Sequence, residues 1–195
     1  MSARPSNTYR PLTAEETTAR AHATAPRLRR RVTSFVYEGV LVFGIAVPVG
    51  LVYGIATNQR HGLEGRHGLW AALLLAFALY YTWCWVQTGQ TLAMKTWHLR
   101  VVGHNGEGLT VPRALLRHVL AWLWLMPGLL LPKVLGLTQG RQLFAALVGW
   151  MVLYAVSSFV LPRRQFLHDV LSGTRLIDTR PDAAPTPHPD AAHAA

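Results

Sequence analysis

The sequence predicts an all-α fold: a multi-pass transmembrane bundle of four helices, with a small cytoplasmic β-hairpin between helices 2 and 3. Of its 195 residues, 51% are apolar and 14% are charged, whereas a soluble domain has about 25% charged residues. Four apolar stretches are almost free of charge, and about 20 apolar residues can cross a bilayer as a helix. These stretches are Ser34–Ala56, Leu69–Thr88, Val119–Leu131 and Leu143–Leu161.

Two polar tails flank the apolar stretches. Residues 1–27 are polar and lack hydrophobic periodicity, and residues 179–195 are rich in Ala and Pro. Such compositions are typical of disordered segments. We therefore expect one transmembrane domain at residues 28–178, with a disordered cytoplasmic arm before it and a disordered tail after it.

The first stretch is rich in glycine. Gly50 and Gly54 form a GxxxG pair, which allows close approach of another helix. Packing inside the bundle is the favoured interpretation, and a homodimer interface is the alternative. Pro48 is expected to kink this helix unless its neighbours compensate.

The third stretch is short. Val119–Leu131 is interrupted by Pro127-Gly128, and its length also suits a re-entrant segment. If it did not span, the basic residues after the fourth stretch would lie outside, against the positive-inside rule. Extension back through Leu115 and Leu116, with Arg117 reaching the cytoplasmic surface, gives enough length for a fourth span.

The loop between the second and third stretches predicts the hairpin. Residues 97–102 alternate between apolar and polar, Asn105-Gly106 follows, and residues 109–111 begin a second run. Asn-Gly between two such runs is a strong hairpin signal. The hairpin is expected on the cytoplasmic face.

The distribution of basic residues predicts the orientation. The net charge is +10, and 15 of the 19 Lys and Arg residues lie in the tails and in the middle loop. Cytoplasmic loops carry this excess, so both termini and the middle loop are expected inside the bacterial cytoplasmic membrane. The lipid bilayer is then the expected partner, and the positive charge does not indicate nucleic-acid binding.

Glu38 is the one carboxylate within the first stretch, and Arg31 lies seven residues before it. On a helix the two share one stripe, about 10 Å apart along the axis. An ionised group in lipid is costly unless it is paired or faces a cavity. Glu38 therefore predicts a functional charge, and the alternative is a structural pair with Arg117 or Arg113.

A second charged group follows the fourth stretch, where Asp169 lies among arginines that should lower the pKa of its carboxyl. We expect Asp169 to hold the C-terminal segment to basic residues of other cytoplasmic loops. His98, His118 and His168 lack the spacing of metal or haem ligands. No nucleotide, hydrolase or metalloprotease motif is present, so neither an enzyme nor a bound cofactor or metal is expected.

Together these residues resemble the RDD family of bacterial membrane proteins, over roughly residues 28–178. The resemblance implies that Arg31 is the family arginine and Asp169 its second aspartate, while Glu38 stands where the first aspartate is expected. It also implies transport of an undefined ligand. The other matching segments are Gly89–Lys95, Leu99–Val102, Arg117 and Gly173–Arg175.

Two functions are consistent with these features. The first is movement of a small solute or ion, with Arg31, Glu38, Arg117 and Asp169 as ligand or charge-network residues. Four helices are few for a transporter, so a homo-oligomer is expected. The alternative is a membrane scaffold that binds partners through its cytoplasmic face. Transport predicts that Glu38 faces an interior cavity, whereas a scaffold predicts that an arginine caps it.

Overall fold

Three long apolar helices dominate the structure. The computed structural model describes residues 12–58 and 65–180. Helices α2, α3 and α7 are each long and apolar enough to cross a membrane, and a bent pair, α5 and α6, provides a fourth candidate. The helices are α1 (Ala14–His22), α2 (Leu28–Ala56), α3 (Arg66–Gln87), α4 (Leu92–Thr96), α5 (Val111–Ala121), α6 (Met126–Val134), α7 (Gly140–Ser157) and α8 (Leu167–Leu171), and the strands are β1 (Leu99–Gly103) and β2 (Thr174–Asp178).

The bend between α5 and α6 has an identifiable cause. A 3₁₀ turn, Trp122–Trp124, separates the two helices, and their axes differ by 44°. Pro127 has no N–H to bond the carbonyl four residues earlier. Trp150 of α7 donates its indole N–H to that carbonyl, of Leu123, at 2.9 Å. A Cβ on Gly128 would lie 3.0 Å from the Trp150 Cβ, so glycine permits this close contact.

The structure contains a two-stranded antiparallel sheet, but it is not the predicted hairpin. Strand β1 pairs with β2 from the C-terminal segment, with Val101 opposite Leu176. The Asn105-Gly106 turn is present and is closed by the Gly103 N–H donating to the Glu107 carbonyl at 2.7 Å. Residues 109–111 then lead into α5. The predicted second strand is therefore wrong.

The N-terminal segment is partly helical. Helix α1 begins with a capping box, in which Thr13 and Glu16 bond each other's backbone N–H groups. Its residue Ala21 packs against Val102 and Ile177 of the sheet. The expected disorder is thus wrong for residues 14–22. Residues 1–11 and 181–195 lie outside the described part of the chain.

Buried residues concentrate at the end of the bundle that carries the sheet. One core cluster joins α3, α4, both strands and α5 around Trp85, Leu99 and Val101. By contrast, a Cβ on Gly50 or Gly54 would meet nothing within 4 Å. The expected packing of this GxxxG pair inside the bundle is therefore wrong for the described residues.

Candidate functional site

A cavity of about 350 Å³ lies inside the bundle at the sheet end. Its walls come from α2, α3, the α5–α6 region and the segment after α7. Most of the lining is aromatic or aliphatic. The charged side chains that line it are Arg31, Glu38 and Arg117.

Glu38 faces this cavity and is 7% exposed. Tyr80 of α3 donates its hydroxyl to Oε1 at 3.0 Å, and the Thr91 hydroxyl donates to Oε2. The carboxylate is thus held by two neutral hydroxyls. The expected structural pair with Arg117 or Arg113 is not formed, because the ion pairs of those arginines go to Asp169 and Glu107.

The backbone around Gly89 positions Thr91. Gly89 has φ +72°, and a Cβ there would lie 2.6 Å from the Val101 carbonyl oxygen, so only glycine fits without strain. Its carbonyl accepts the Val101 N–H at 2.8 Å. Gln90 donates to the Leu99 carbonyl at 2.6 Å. The end of α3 is thereby fixed to β1, and Thr91 caps α4 while its hydroxyl reaches Glu38.

Arg31 lies on the same stripe of α2 and is 4% exposed. Its guanidinium stacks over the Phe166 ring, 4.2 Å from the ring centre. Nη2 donates to the Ser158 hydroxyl at 3.3 Å. Nε and Nη1 are buried without a hydrogen-bond partner, and no carboxylate of the described residues forms an ion pair with Arg31.

Arg117 and Asp169 form a buried ion pair. The Arg117 Nε and Nη2 atoms lie 2.9 and 2.8 Å from Asp169 Oδ1. Arg117 also stacks over Trp85, 4.2 Å from the ring centre. Arg117 is 7% exposed, so the expected position at the cytoplasmic surface is wrong. Asp169 thus joins the C-terminal segment to α5 through Arg117.

Burial and neighbouring charges shift two pKa values in the C-terminal segment. Burial alone would raise the pKa of Asp169, but Arg117, His168 and Arg31 together hold it below its usual range. Burial lowers the pKa of His168 to about 4, against the opposite effect of Asp169. His168 is therefore neutral near pH 7, with Nδ1 2.8 Å from the Tyr154 hydroxyl.

The structure brings all four predicted residues to one end of the bundle, in two arrangements. Arg31, Glu38 and Arg117 line the cavity, while Asp169 lies behind Arg117. Sequence reasoning missed the partners Tyr80, Thr91, Ser158 and Phe166. Thr91 lies within the segment Gly89–Lys95 that resembles the family, but nothing in the sequence near Tyr80, Ser158 or Phe166 indicates contact with a charged group. In the described part of the chain, no cluster of His, Cys, Asp or Glu could hold a metal ion.

The chain is similar to a known protein family. The model of the RDD family matches residues 25–173, which include all four charged residues described above. No curated protein and no solved structure matches the chain.

Proposed function

The chain belongs to the RDD family and is a membrane protein, and from that premise we propose that it moves a small solute or ion across the bacterial cytoplasmic membrane. The single observation that supports this function best is the cavity that reaches Arg31 and Glu38. Buried ionisable groups within membrane helices commonly mark a ligand or ion pathway.

We propose four spans with both termini inside, and the sheet supports this topology. Strands β1 and β2 are paired, so they lie on the same side of the membrane. Between them the chain runs through the α5–α6 pair and then α7. If α7 crosses once, the α5–α6 pair must also cross once. The basic residues near the sheet favour the cytoplasmic side.

The environment of Glu38 favours transport over a scaffold role. A scaffold was expected to cap this carboxylate with an arginine and to leave no cavity. Instead Glu38 is bonded by Tyr80 and Thr91 and lines the cavity. Such an arrangement gives a charged group that a ligand can approach without first breaking an ion pair.

Assembly is part of this proposal. The lining residues of α2 run from Arg31 to Val42, a rise of about 16 Å, which is about half of the hydrocarbon core of roughly 30 Å. The cavity of one subunit therefore spans only about half of the distance that a ligand must cross. The uncovered Gly50–Gly54 face of α2 is the surface that we propose for a second copy.

The test is ion movement into vesicles that contain the purified full-length protein. A voltage-sensitive dye would report flux after addition of potassium chloride, sodium chloride or sodium octanesulfonate outside. We expect flux of at least one of these ions above that of empty vesicles, and a larger loss with Glu38→Ala than with Glu38→Asp.

Glu107→Ala is the matched control, because Glu107 is exposed and pairs with the exposed Arg113. Flux should be unchanged in this variant. Wild-type vesicles that behave like empty vesicles with all three salts would contradict transport of these ions and favour the scaffold. Equal flux in Glu38→Ala and wild type would exclude Glu38 from the path.

A further inference from the structure

We propose that the cavity binds an amphiphilic anion, with the charged head on Arg31 and the apolar body along the α2–α3 wall. This inference names the class of ligand for the proposed function. It rests on the proposed function only in treating the cavity as the path of the ligand. The binding step is measurable without any transport.

The first argument is the unmet hydrogen-bonding capacity of Arg31. This side chain is 4% exposed, and two of its three guanidinium nitrogens are buried without a partner among the described residues. The third donates a hydrogen bond to a neutral hydroxyl, that of Ser158. A buried cation left in this state is costly, and an anionic oxygen group would supply the missing acceptors.

The charge balance of the site gives the second argument. Asp169 is the carboxylate that pairs with Arg117, whose Nε and Nη2 atoms both contact its Oδ1. Its Oδ2 faces His168 Nε2 at 3.6 Å, and this histidine is neutral near pH 7. Among the described residues, Arg31 is therefore left without a carboxylate partner, because Asp169 is engaged by Arg117 and Glu38 is bonded by two hydroxyls.

Glu38 does not reverse this preference for an anion. Each of its oxygens already accepts a hydroxyl, from Tyr80 or from Thr91, whereas Arg31 is left with free donors. A cationic ligand would therefore meet carboxylate oxygens whose hydrogen-bonding capacity is already partly used. The negative charge of Glu38, about two helical turns beyond Arg31, instead keeps an anionic head at the Arg31 end.

Two tryptophans add further donors at the same end. Trp85 and Trp124 both line the cavity, and the indole N–H of each is buried without a partner in the part of the chain that the structure describes. They are 5% and 6% exposed. Indole N–H groups only donate, so each unpartnered polar atom that these side chains present is a donor.

The remaining lining explains the apolar body. Phe35, Val42, Phe77 and Leu125 give aromatic and aliphatic walls without polar side chains. Gly39 also lines the cavity, and Gly39 and Phe35 are exposed on the outer surface of α2. The cavity therefore reaches the surface that α2 presents to lipid. The anion could come from water as a free acid or from the bilayer as an acidic lipid, and the same head-group chemistry serves both.

The experiment measures binding of octanesulfonate to the full-length protein in phosphatidylcholine nanodiscs, by tryptophan fluorescence. We expect octanesulfonate to bind the wild type saturably. Octyltrimethylammonium, a cation with the same alkyl chain, should bind more weakly. Arg31→Gln should weaken binding about tenfold or more, because it removes a charge-assisted contact. The affinity of Arg31→Lys for octanesulfonate should lie between those of the wild type and Arg31→Gln, since lysine keeps the charge without the planar donor set. Arg29→Gln, an exposed arginine of the same helix, should bind as the wild type does.

A second variant tests the cavity without touching Arg31. A Cβ on Gly39 meets nothing within 4 Å, so Gly39→Leu should fold and place its side chain in the cavity. We expect it to weaken octanesulfonate binding. Gly44→Leu is the matched control, because Gly44 is also open and exposed but does not line the cavity.

Nanodiscs that contain phosphatidylglycerol distinguish the two sources of the anion. If this lipid competes with octanesulfonate in the wild type but not in Arg31→Gln, the site takes an acidic lipid; without competition, it takes the free acid.

Equal binding by the wild type, Arg31→Gln and Gly39→Leu would overturn the proposal, as would tighter binding of the cation. Sodium or potassium flux without octanesulfonate binding would overturn it while leaving transport intact. Octanesulfonate binding without any flux would contradict transport alone.

Discussion

Arg117 and Asp169 form the most deeply buried charge pair in the described structure, because Asp169 is fully buried. If one partner is neutralised, the other remains as an uncompensated charge in a region of low dielectric constant. Such losses cost about 3–5 kcal/mol, whereas an exposed pair contributes at most about 1 kcal/mol.

We therefore expect Asp169→Asn to lower the Tm in detergent strongly and to speed proteolysis after Pro162. Glu107→Gln, which breaks the exposed pair with Arg113, should change the Tm little. Asp169→Asn with wild-type Tm and protease resistance but no ion flux would contradict this structural role of Asp169. It would place Asp169 in the transport path instead.

His168 should make the protein less stable in acid. Its pKa is about 4 in the folded protein, against about 6.5 when unfolded. Between these values the unfolded chain binds a proton that the folded chain does not, so stability falls as the pH drops from about 6.5 to 4, by about 3 kcal/mol at most. The lowered pKa of Asp169 adds a further loss below its usual value of 3.8. Melting curves at pH 7.5 and pH 5 should show the first effect.

His168→Gln removes the group whose protonation causes the loss between pH 6.5 and 4. The difference in Tm between pH 7.5 and pH 5 should therefore be smaller in this variant than in the wild type. His104→Gln, at an exposed histidine of the loop after β1, should keep the wild-type difference. An identical pH response in all three proteins would exclude His168 as the cause.

The sequence identifies the charged residues of the site, but it does not identify most of the side chains that contact them. The seven-residue spacing placed Arg31 and Glu38 on one stripe because helical periodicity is a local property. The partner of Asp169 was limited to a few arginines by charge alone. Tyr80 and Ser158, by contrast, lie within apolar runs and reach their partners across 42 and 127 residues. Side-chain contacts at such separation depend on how the helices pack.

At the level of elements, the segment 89–91 connects the membrane helices to the sheet. Gly89 bonds β1, and Thr91 holds Glu38 of α2. The predicted hairpin failed because Asn-Gly encodes a local turn, whereas β1 finds its partner more than 70 residues later. The missed helix α1 is different: Thr13 and Glu16 are a capping box that the sequence itself contains.

Gly89→Ala should destabilise the protein by about 1–3 kcal/mol, because φ +72° is strained for alanine and the new Cβ would clash with the Val101 carbonyl. The measurement is the Tm in detergent. Gly108→Ala is the control, since a Cβ at Gly108 meets nothing within 4 Å and its backbone is not left-handed. Gly89→Ala should also reduce flux if Thr91 loses its position beside Glu38. Equal Tm values for both variants and the wild type would contradict this role.

At the scale of the whole molecule, the sheet end gathers segments from along the described chain. Arg30 at the start of α2 bonds Asp178 and the Trp97 carbonyl. The chain after α3 docks on β1, α5 follows β1, and β2 follows α7. Each membrane segment thus has one end at the sheet. Hydropathy and charge predict four spans with both termini inside. The pairing of β1 with β2 adds a geometric reason to propose an even number of crossings between the two strands.

This geometry predicts which side of the membrane each loop occupies. The chain has one cysteine, Cys84, which is buried, so Cys84→Ser gives a background for single-cysteine variants. We expect Gln139→Cys in intact spheroplasts to react with a membrane-impermeant maleimide. Asn105→Cys and Arg164→Cys should react only in inside-out vesicles. All three positions are exposed, so access depends on their side of the membrane.

A re-entrant α5–α6 pair gives a different labelling pattern. Gln139 would then share the side of Asn105, and Arg164 would lie opposite, if α7 still crosses. That pattern would also place β1 and β2 on different sides, which their pairing does not permit. Labelling of Arg164→Cys in intact spheroplasts would therefore refute the four-span topology and the sheet together. Labelling of Gln139→Cys alone supports both, because an odd number of crossings must then separate Asn105 from Gln139 and another must separate Gln139 from Arg164.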